Sequence, residues 1–299
     1  MPPPQFRANW KPKTIWTGDN LFIMRGMNSA SVDLIYLDPP FNSKANYAAP
    51  IGSQAAGAAF KDTWTLSDLD VEWLDLIESR HPALHRVIMA TMVDSDKSYL
   101  VYMAARLLEM RRILKDTGSI YLHCDTTMSH YLKLVMDAIW GKSSFRNDIT
   151  WQRNPGHADS SGFGRVADQI LFYGGAINRE NVLEPIPSET VRQHYRHSDE
   201  RGKYRPENLK TTGLAGGGYH YDFHGHNGPW RYPHHRMLEL ESQGRVHLPK
   251  KTGGVPQRKR YLHEHKGIVP NSIWTDIKKA RGREHTGYPT QKPPVFLGR

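Results

Sequence analysis

An apolar run cut off by two prolines constrains the fold of this chain more than any other stretch. Val32-Asp33-Leu34-Ile35-Tyr36-Leu37 has the length and the branched side chains of a buried strand. Pro39 and Pro40 have fixed φ and no N–H to give a ladder, so the strand must stop at Asp38. Asp38, the Pro39 carbonyl and Phe41 are thereby held at the carboxyl end of a strand, where open α/β sheets place their ligands. A carboxylate and a carbonyl can accept both hydrogens of an exocyclic amine, while a ring beside them stacks on the base that bears it. Asp-Pro is also ordinary turn chemistry, so a plain strand exit stays open at this point.

The segment 33–42, with Asp38-Pro39-Pro40-Phe41 at its end and Thr17-Gly18-Asp19-Asn20 before it, resembles the amino-methylating DNA methyltransferases that use S-adenosylmethionine. Aspartate at the first position resembles the adenine-N6 enzymes; the cytosine-N4 enzymes more often carry serine there. Tyr288-Pro289-Thr290-Gln291-Lys292-Pro293 resembles the block that precedes the cofactor-binding strand in the β-ordered class, as in type III modification subunits. The resemblance implies Asp38, Pro39, Pro40 and Phe41 as catalytic, and Asp19, Asn20, Asp38, Thr290, Gln291 and Lys292 around S-adenosylmethionine. In the family a helix, a strand and an FxGxG turn come next. Residues 294–299 fall inside that expected helix and no FxGxG occurs, so the resemblance implies a truncated or split enzyme with a sheet incomplete at its carboxyl end. The rival expectation is a DNA-binding fragment without catalysis of its own.

Local patterns point the same way. Leu100, Met103, Ala104, Leu107, Met110 and Leu114 recur at helical spacing and predict an amphipathic helix over 96–115, with its methionines filling core. Residues 118–124 read as a buried strand, 131–139 as a helix closed by Gly141, and 147–153 and 168–173 as two further strands. Residues 14–19 suggest a short strand and a turn. Strands alternating with helices imply a layered α/β domain with a mostly parallel sheet. The resemblance narrows this to a Rossmann-like methyltransferase sheet with helices on both faces. Residues 42–65 lack periodicity and read either as a lid beside the site or as a plain surface loop.

Charge divides the chain. Residues 1–150 hold 16 Lys+Arg against 16 Asp+Glu, whereas residues 151–299 hold 24 against 14 and twelve of the histidines. A basic half interleaved with rings and glycines, as in 192–210 and 216–231, points to a polyanion and favours nucleic acid, which the resemblance narrows to double-stranded DNA. The candidate contacts are Lys44, Arg192, Arg196, Arg201, Lys203, Arg205, Arg231, Lys250, Lys251, Arg258, Lys259 and Arg260. The expected organisation is a catalytic region 1–179, a target-recognition region 180–270, and the start of a cofactor region 271–299. His220, Asp222, His224 and His226 alternate as metal ligands or one solvated strand face would, and no metal is expected. A single cysteine, Cys124, excludes an internal disulfide and reads as core. No apolar run has the length of a membrane span and the first residues lack a signal peptide's apolar stretch, so the expectation is a cytoplasmic, nucleoid-associated protein of bacterial or phage type. The resemblance adds a restriction subunit or a complementary carboxyl-terminal fragment as partners.

Overall fold

A computed structural model describes residues 7–65, 67–156, 158–159, 162–175, 182–211 and 217–298. Gly216 and the expected boundary at 179–180 lie outside the described residues. Two compact units emerge, Met1–Ile177 with Asn271–Arg299, and Asn178–Pro270.

The first unit runs α1 (Asn20–Arg25), β1 (Val32–Leu37), β2 (Ala45–Ala48), β3 (Ala59–Asp62), α2 (Asp68–Arg80), α3 (Pro82–Met89), α4 (Asp94–Ile113), β4 (Leu114–Cys124), α5 (Ser129–Trp140) and β5 (Phe145–Gln152). A two-residue pair, β6 (Ala158–Asp159) and β7 (Gly162–Phe163), precedes β8 (Ala167–Gly174). Among the described residues no strand forms before Thr17: Ile15 stands 93% exposed in irregular chain.

The five-stranded sheet has the order β1-β4-β8-β5, with β15 (Ile273–Trp274) last. It is mixed rather than mostly parallel. β1 pairs β4 in parallel and β15 pairs β5 in parallel, while β8 runs antiparallel to both its neighbours. The β5-to-β8 connection carries no crossover helix, and antiparallel partners need none.

Strand alternation separates two faces. Ile120, Leu122 and Cys124 of β4 and Leu171 and Tyr173 of β8 bury one face under α1 to α5. At its centre α4 is enclosed on most sides, with Tyr99, Leu100, Met103, Ala104, Leu107 and Met110 each at most 3% exposed. The expected amphipathic pattern is thus a central helix, since α1, α2, α3 and α5 all pack around it. Burial pushes the Cys124 thiol above its ordinary range, consistent with a core side chain. On the opposite face Ile149, Trp151, Ile170, Trp274 and Ile277 gather around Phe296 of α8 (Pro294–Leu297). Gly174, at φ +104°, crosses β4 so closely that a Cβ would stand 2.2 Å from the Gly118 carbonyl.

The second unit holds α6 (Ser188–His194), β9 (His197–Asp199), β10 (Gly202–Asn208), β11 (Asp222–Phe223), β12 (His226–Asn227), α7 (His234–Ser242), β13 (Val246–His247) and β14 (Gln257–Tyr261). Its antiparallel sheet has the order β13-β14-β10-β9. Leu209, Phe223, Trp230, Met237 and Leu240 form its own core. Reciprocal backbone hydrogen bonds of 2.9 Å between Glu184 and Ile268 zip its two ends together. Among the described residues no helix is long and apolar enough to cross a membrane.

Candidate active site

β1 delivers Asp38, half-buried with its side chain 30% exposed, to the carboxyl end of the sheet. Pro39 and Pro40 follow half-buried, and Asn42 then adopts φ +59°, a left-handed conformation that asparagine tolerates. This sharp exit is held by Asp62 at the end of β3. The Asp62 carboxylate, 1% exposed, accepts the backbone N–H groups of Phe41 (3.3 Å), Asn42 (2.8 Å) and Ser43 (2.8 Å), the Ser43 hydroxyl, and Trp64 Nε1 (3.1 Å). The stretch 42–65 is therefore not irregular throughout. It forms the β2–β3 hairpin, in which Tyr47 stacks on Phe60 with centroids 4.9 Å apart. Small residues hid it from the sequence pattern, because its stability comes from Asp62 and from packing of Phe60 toward Tyr288 at 6.4 Å.

The carboxyl-terminal segment returns to this point. Lys292 Nζ donates to both Asp38 oxygens at 2.9 Å and stands 5.2 Å from the Phe41 ring centroid. The Thr290 carbonyl accepts from the same ammonium at 3.2 Å. Gln291 turns the other way: its side chain accepts from the Thr286 N–H at 2.8 Å and donates to the Glu284 carbonyl at 2.7 Å, folding the segment itself. Trp151 Nε1 donates to the Ile277 carbonyl at 2.9 Å and anchors the segment to the sheet.

Beneath Asp38 lies a group that no sequence motif marked. His123 of β4 is fully buried, with Nδ1 3.5 Å from Asp38 Oδ1 and Nε2 3.1 Å from Asp168 Oδ2. Asp168 forms an ion pair with Arg153 at 3.1 Å. The sole sequence signal was a histidine inside the stretch 118–124 that reads as a buried strand.

Asp19 and Asn20 form a different cluster. Arg106 Nη2 donates to both Asp19 oxygens at 2.8 Å, and its Nε donates to Asn20 Oδ1 at 3.1 Å. Asp19 also caps α1 by accepting the Leu21 N–H at 2.9 Å. Both side chains are thus engaged in tying α1 to α4, and none of their described contacts reaches Asp38.

In the first unit Lys44 is exposed at φ +61° in the turn before β2. In the second unit several basic side chains already have partners. Along β14 they alternate: Lys259 answers Asp199 at 2.7 Å, Arg260 answers Glu207 at 2.7 Å, and Arg258 donates to the Tyr232 hydroxyl at 2.8 Å. Arg192 pairs with Glu189, and Arg205 lies 5.9 Å from the Tyr195 ring. Arg196, Arg201, Lys203, Arg231, Lys250 and Lys251 are exposed without an acidic side-chain partner among the described residues. His224 pairs with Glu241 and His226 faces the Gly254 carbonyl at 3.1 Å. No group of three or more His, Cys, Asp or Glu among the described residues is arranged to hold a metal ion.

The site thus stands on an α/β sheet in which one strand ends in a carboxylate, two prolines and a ring. The family model for DNA methylases matches residues 32–299, and the chain belongs to that family. It is 30% identical over 275 residues to the type III restriction-modification enzyme StyLTI Mod subunit of Salmonella typhimurium, covering 87% of this chain and 40% of the relative. It is 27% identical over 288 residues to the type II methyltransferase M.EcaI of Enterobacter cloacae, covering 93% and 56%. With the EcoP15I Mod subunit of Escherichia coli the identity is 27% over 174 residues, covering 56% and 24%. The chain thus spans about half or less of the length of these relatives.

Proposed function

We propose that this chain carries the amine-binding and target-recognition parts of a site-specific DNA methyltransferase that methylates adenine N6. The observation that carries the reading is the Lys292 ammonium, a nitrogen donor held at 2.9 Å by both Asp38 oxygens and 5.2 Å from the Phe41 ring. A carboxylate and a ring that grip one N–H donor in this way suit the amino group of a nucleobase. An adenine stacked in duplex DNA cannot reach them, so the base must be flipped out at a cost of a few kcal/mol. Phe41 would stack on the flipped ring, worth about 1–3 kcal/mol. Asp38 and the Pro39 carbonyl would accept the N6 hydrogens, drawing the nitrogen toward tetrahedral geometry and freeing its lone pair for direct, in-line attack. Positioning and fixed charge then supply the rate, and no cysteine nucleophile is required.

S-adenosylmethionine, when bound, supplies an electrophilic methyl group on a sulfonium. The donor set suits it, since a carboxylate and an ammonium side by side match a ligand that carries both a cation and a carboxylate. Lys292 and the Thr290 backbone would hold its methionine end, whereas the Gln291 side chain is committed to folding its own segment. Asp19 and Asn20, committed to Arg106, would act by fixing the start of α1.

The unit 178–270 is assigned to target recognition on its surplus of exposed, unpaired cations, with 1–177 and 271–299 as the catalytic and cofactor parts. Two of the relatives are named Mod subunits of type III restriction-modification enzymes, so a restriction subunit is the proposed partner and a soluble cytoplasmic complex on DNA the proposed setting.

The test is transfer of labelled methyl from S-adenosylmethionine to unmethylated DNA, with the modified nucleoside identified by mass spectrometry. N6-methyladenine that disappears in Asp38→Ala, with DNA binding retained, is the expected result. Near-normal turnover in that variant, or label on cytosine N4, would sink the assignment. Phe41→Ala is expected to weaken capture of the flipped base more than cofactor binding, read by fluorescence of 2-aminopurine at the target position.

A further inference from the structure

His123 has no part in the reading above, yet three polar groups converge on its ring. Nε2 lies 3.1 Å from Asp168 Oδ2, and Nδ1 lies 3.0 Å from the Tyr36 hydroxyl and 3.5 Å from Asp38 Oδ1. Rings close off the remaining directions: Phe296 stacks at 5.4 Å, Phe41 tilts against it at 5.2 Å, and Trp151 meets it edge-on at 5.8 Å. The arrangement follows from strand order. β1, β4 and β8 are adjacent, with Leu37 opposite Leu122 and His123 opposite Ile170, so the ends of three strands bring Asp38, His123 and Asp168 together. A histidine that merely filled the core would not need a carboxylate toward each nitrogen.

The protons can be placed. An ionised Asp168 only accepts, so His123 Nε2 carries the hydrogen and the Nδ1 lone pair faces Tyr36 and Asp38. Burial first, then the charges of Asp38 and Asp168, pushes the Tyr36 hydroxyl far above its ordinary range, so Tyr36 stays protonated and donates to Nδ1. If the imidazole gains a proton, Nδ1–H instead points at Asp38 Oδ1.

We propose that His123, held by Asp168, is a positioning residue that sets the orientation of the Asp38 carboxylate. The proposal rests on the reading of Asp38 as the amine acceptor. While His123 is neutral, it makes no claim on Oδ1, and an amine that displaces Lys292 can use either Asp38 oxygen. Once His123 is protonated, Nδ1–H competes for Oδ1 and turns the carboxylate toward itself. Tyr36 and Asp38 bear on the ring from β1 and from the residue after it. Asp168 with its partner Arg153 does so from β8 and the end of β5. Lys292, paired with Asp38, and Lys279, near Arg153 and Asp168, complete the set from the carboxyl-terminal segment.

Two measurements on the full chain test this. The first needs no activity: long-range proton–nitrogen spectra of the 15N-histidine-labelled chain against pH, with His123 assigned by the signal lost in His123→Gln. The expected result is the Nε2–H tautomer, with an Nδ1 resonance that moves in Tyr36→Phe and in Asp38→Asn. An Nδ1–H tautomer, or an Nδ1 resonance indifferent to both variants, overturns the proposal. The second is single-turnover methyl transfer by the wild type, His123→Gln and His123→Asn across about pH 5 to 8. The expected result is a chemical step slowed on the order of 100-fold. Affinity for DNA and cofactor should be unchanged, and the acid limb of the profile displaced. Slowing with an unmoved pH profile would reduce His123 to a structural residue. A wild-type chain that transfers no methyl group identifies an incomplete enzyme and leaves Asp38 untouched, and the histidine spectra then decide the proposal by themselves.

Discussion

Asp62 illustrates what one side chain can impose on a reactive loop. Five donors converge on its buried carboxylate, three of them the consecutive N–H groups of residues 41 to 43. Chain that leaves a strand through two prolines has no ladder to satisfy these groups, so an acceptor from elsewhere must do so. Asp62→Ala strands them in a buried site and is expected to lower unfolding free energy by about 3 kcal/mol in urea titrations. Asp62→Asn, which keeps an acceptor oxygen, is expected to cost roughly half as much. In both variants the rate of transfer should fall further than stability accounts for, because Phe41 loses its fixed aim. Equal loss in a control variant of matched stability would show that Asp62 serves the fold alone. Nothing around Lys61-Asp62-Thr63 in the sequence announces this role, which depends on a hairpin partner seventeen or more residues away.

At the scale of elements, β9, β10 and β13 show how ring packing sets a pH limit. His197 lies 4.8 Å from His247 between ring centroids, and the Tyr204 hydroxyl lies 3.1 Å from His247 Nδ1. Burial first, then His197 and Lys259, hold His247 below its ordinary value of 6.5. A base whose folded value is depressed is protonated first in the unfolded chain. Its penalty is therefore absent above pH 6.5 and grows as pH falls below it. Urea unfolding of the second unit is expected to weaken about one unit below that pH relative to one unit above, and His247→Gln to flatten the difference. Equal pH dependence in the variant would assign the effect to other groups. The same element scale explains the hairpin and the mixed sheet. Periodicity reported α4, α5, β4, β5 and β8 because each buries a repeating face, and Gly141, at φ +83°, ends α5 where its identity suggested. It was silent about direction, since a strand reads alike parallel and antiparallel.

For the whole molecule the decisive quantity is where charge remains unanswered. The carboxyl-terminal half carries the entire surplus of Lys and Arg, but pairing removes Lys259 and Arg260 from it and leaves Lys250 and Lys251 exposed. Phosphate contacts appear in the salt dependence of binding. Lys250→Ala with Lys251→Ala is expected to lower the slope of log affinity against log salt by about two, one for each lost contact. Arg260→Ala should change it by less than about one, since Glu207 already neutralises that guanidinium. Fluorescence anisotropy at several salt concentrations distinguishes the two; equal slopes would show that pairing does not decide which cations meet DNA.

The sequence alone determined the features that are local or compositional. The strand that ends in Asp38-Pro39-Pro40-Phe41, the buried helices, the core cysteine and the basic second half all follow from neighbours in the chain, through proline geometry, periodic burial and summed charge. Tertiary structure decided how Asp38 is surrounded: the resemblance put Lys292 in the same site, but nothing in the sequence put His123 or Asp168 there. Lys292 arrives from 254 residues away, and His123 and Asp168 come from the next two strands of the sheet. Contacts of that kind depend on strand order and direction. Those are settled by how whole elements pack, and no stretch of the sequence records them.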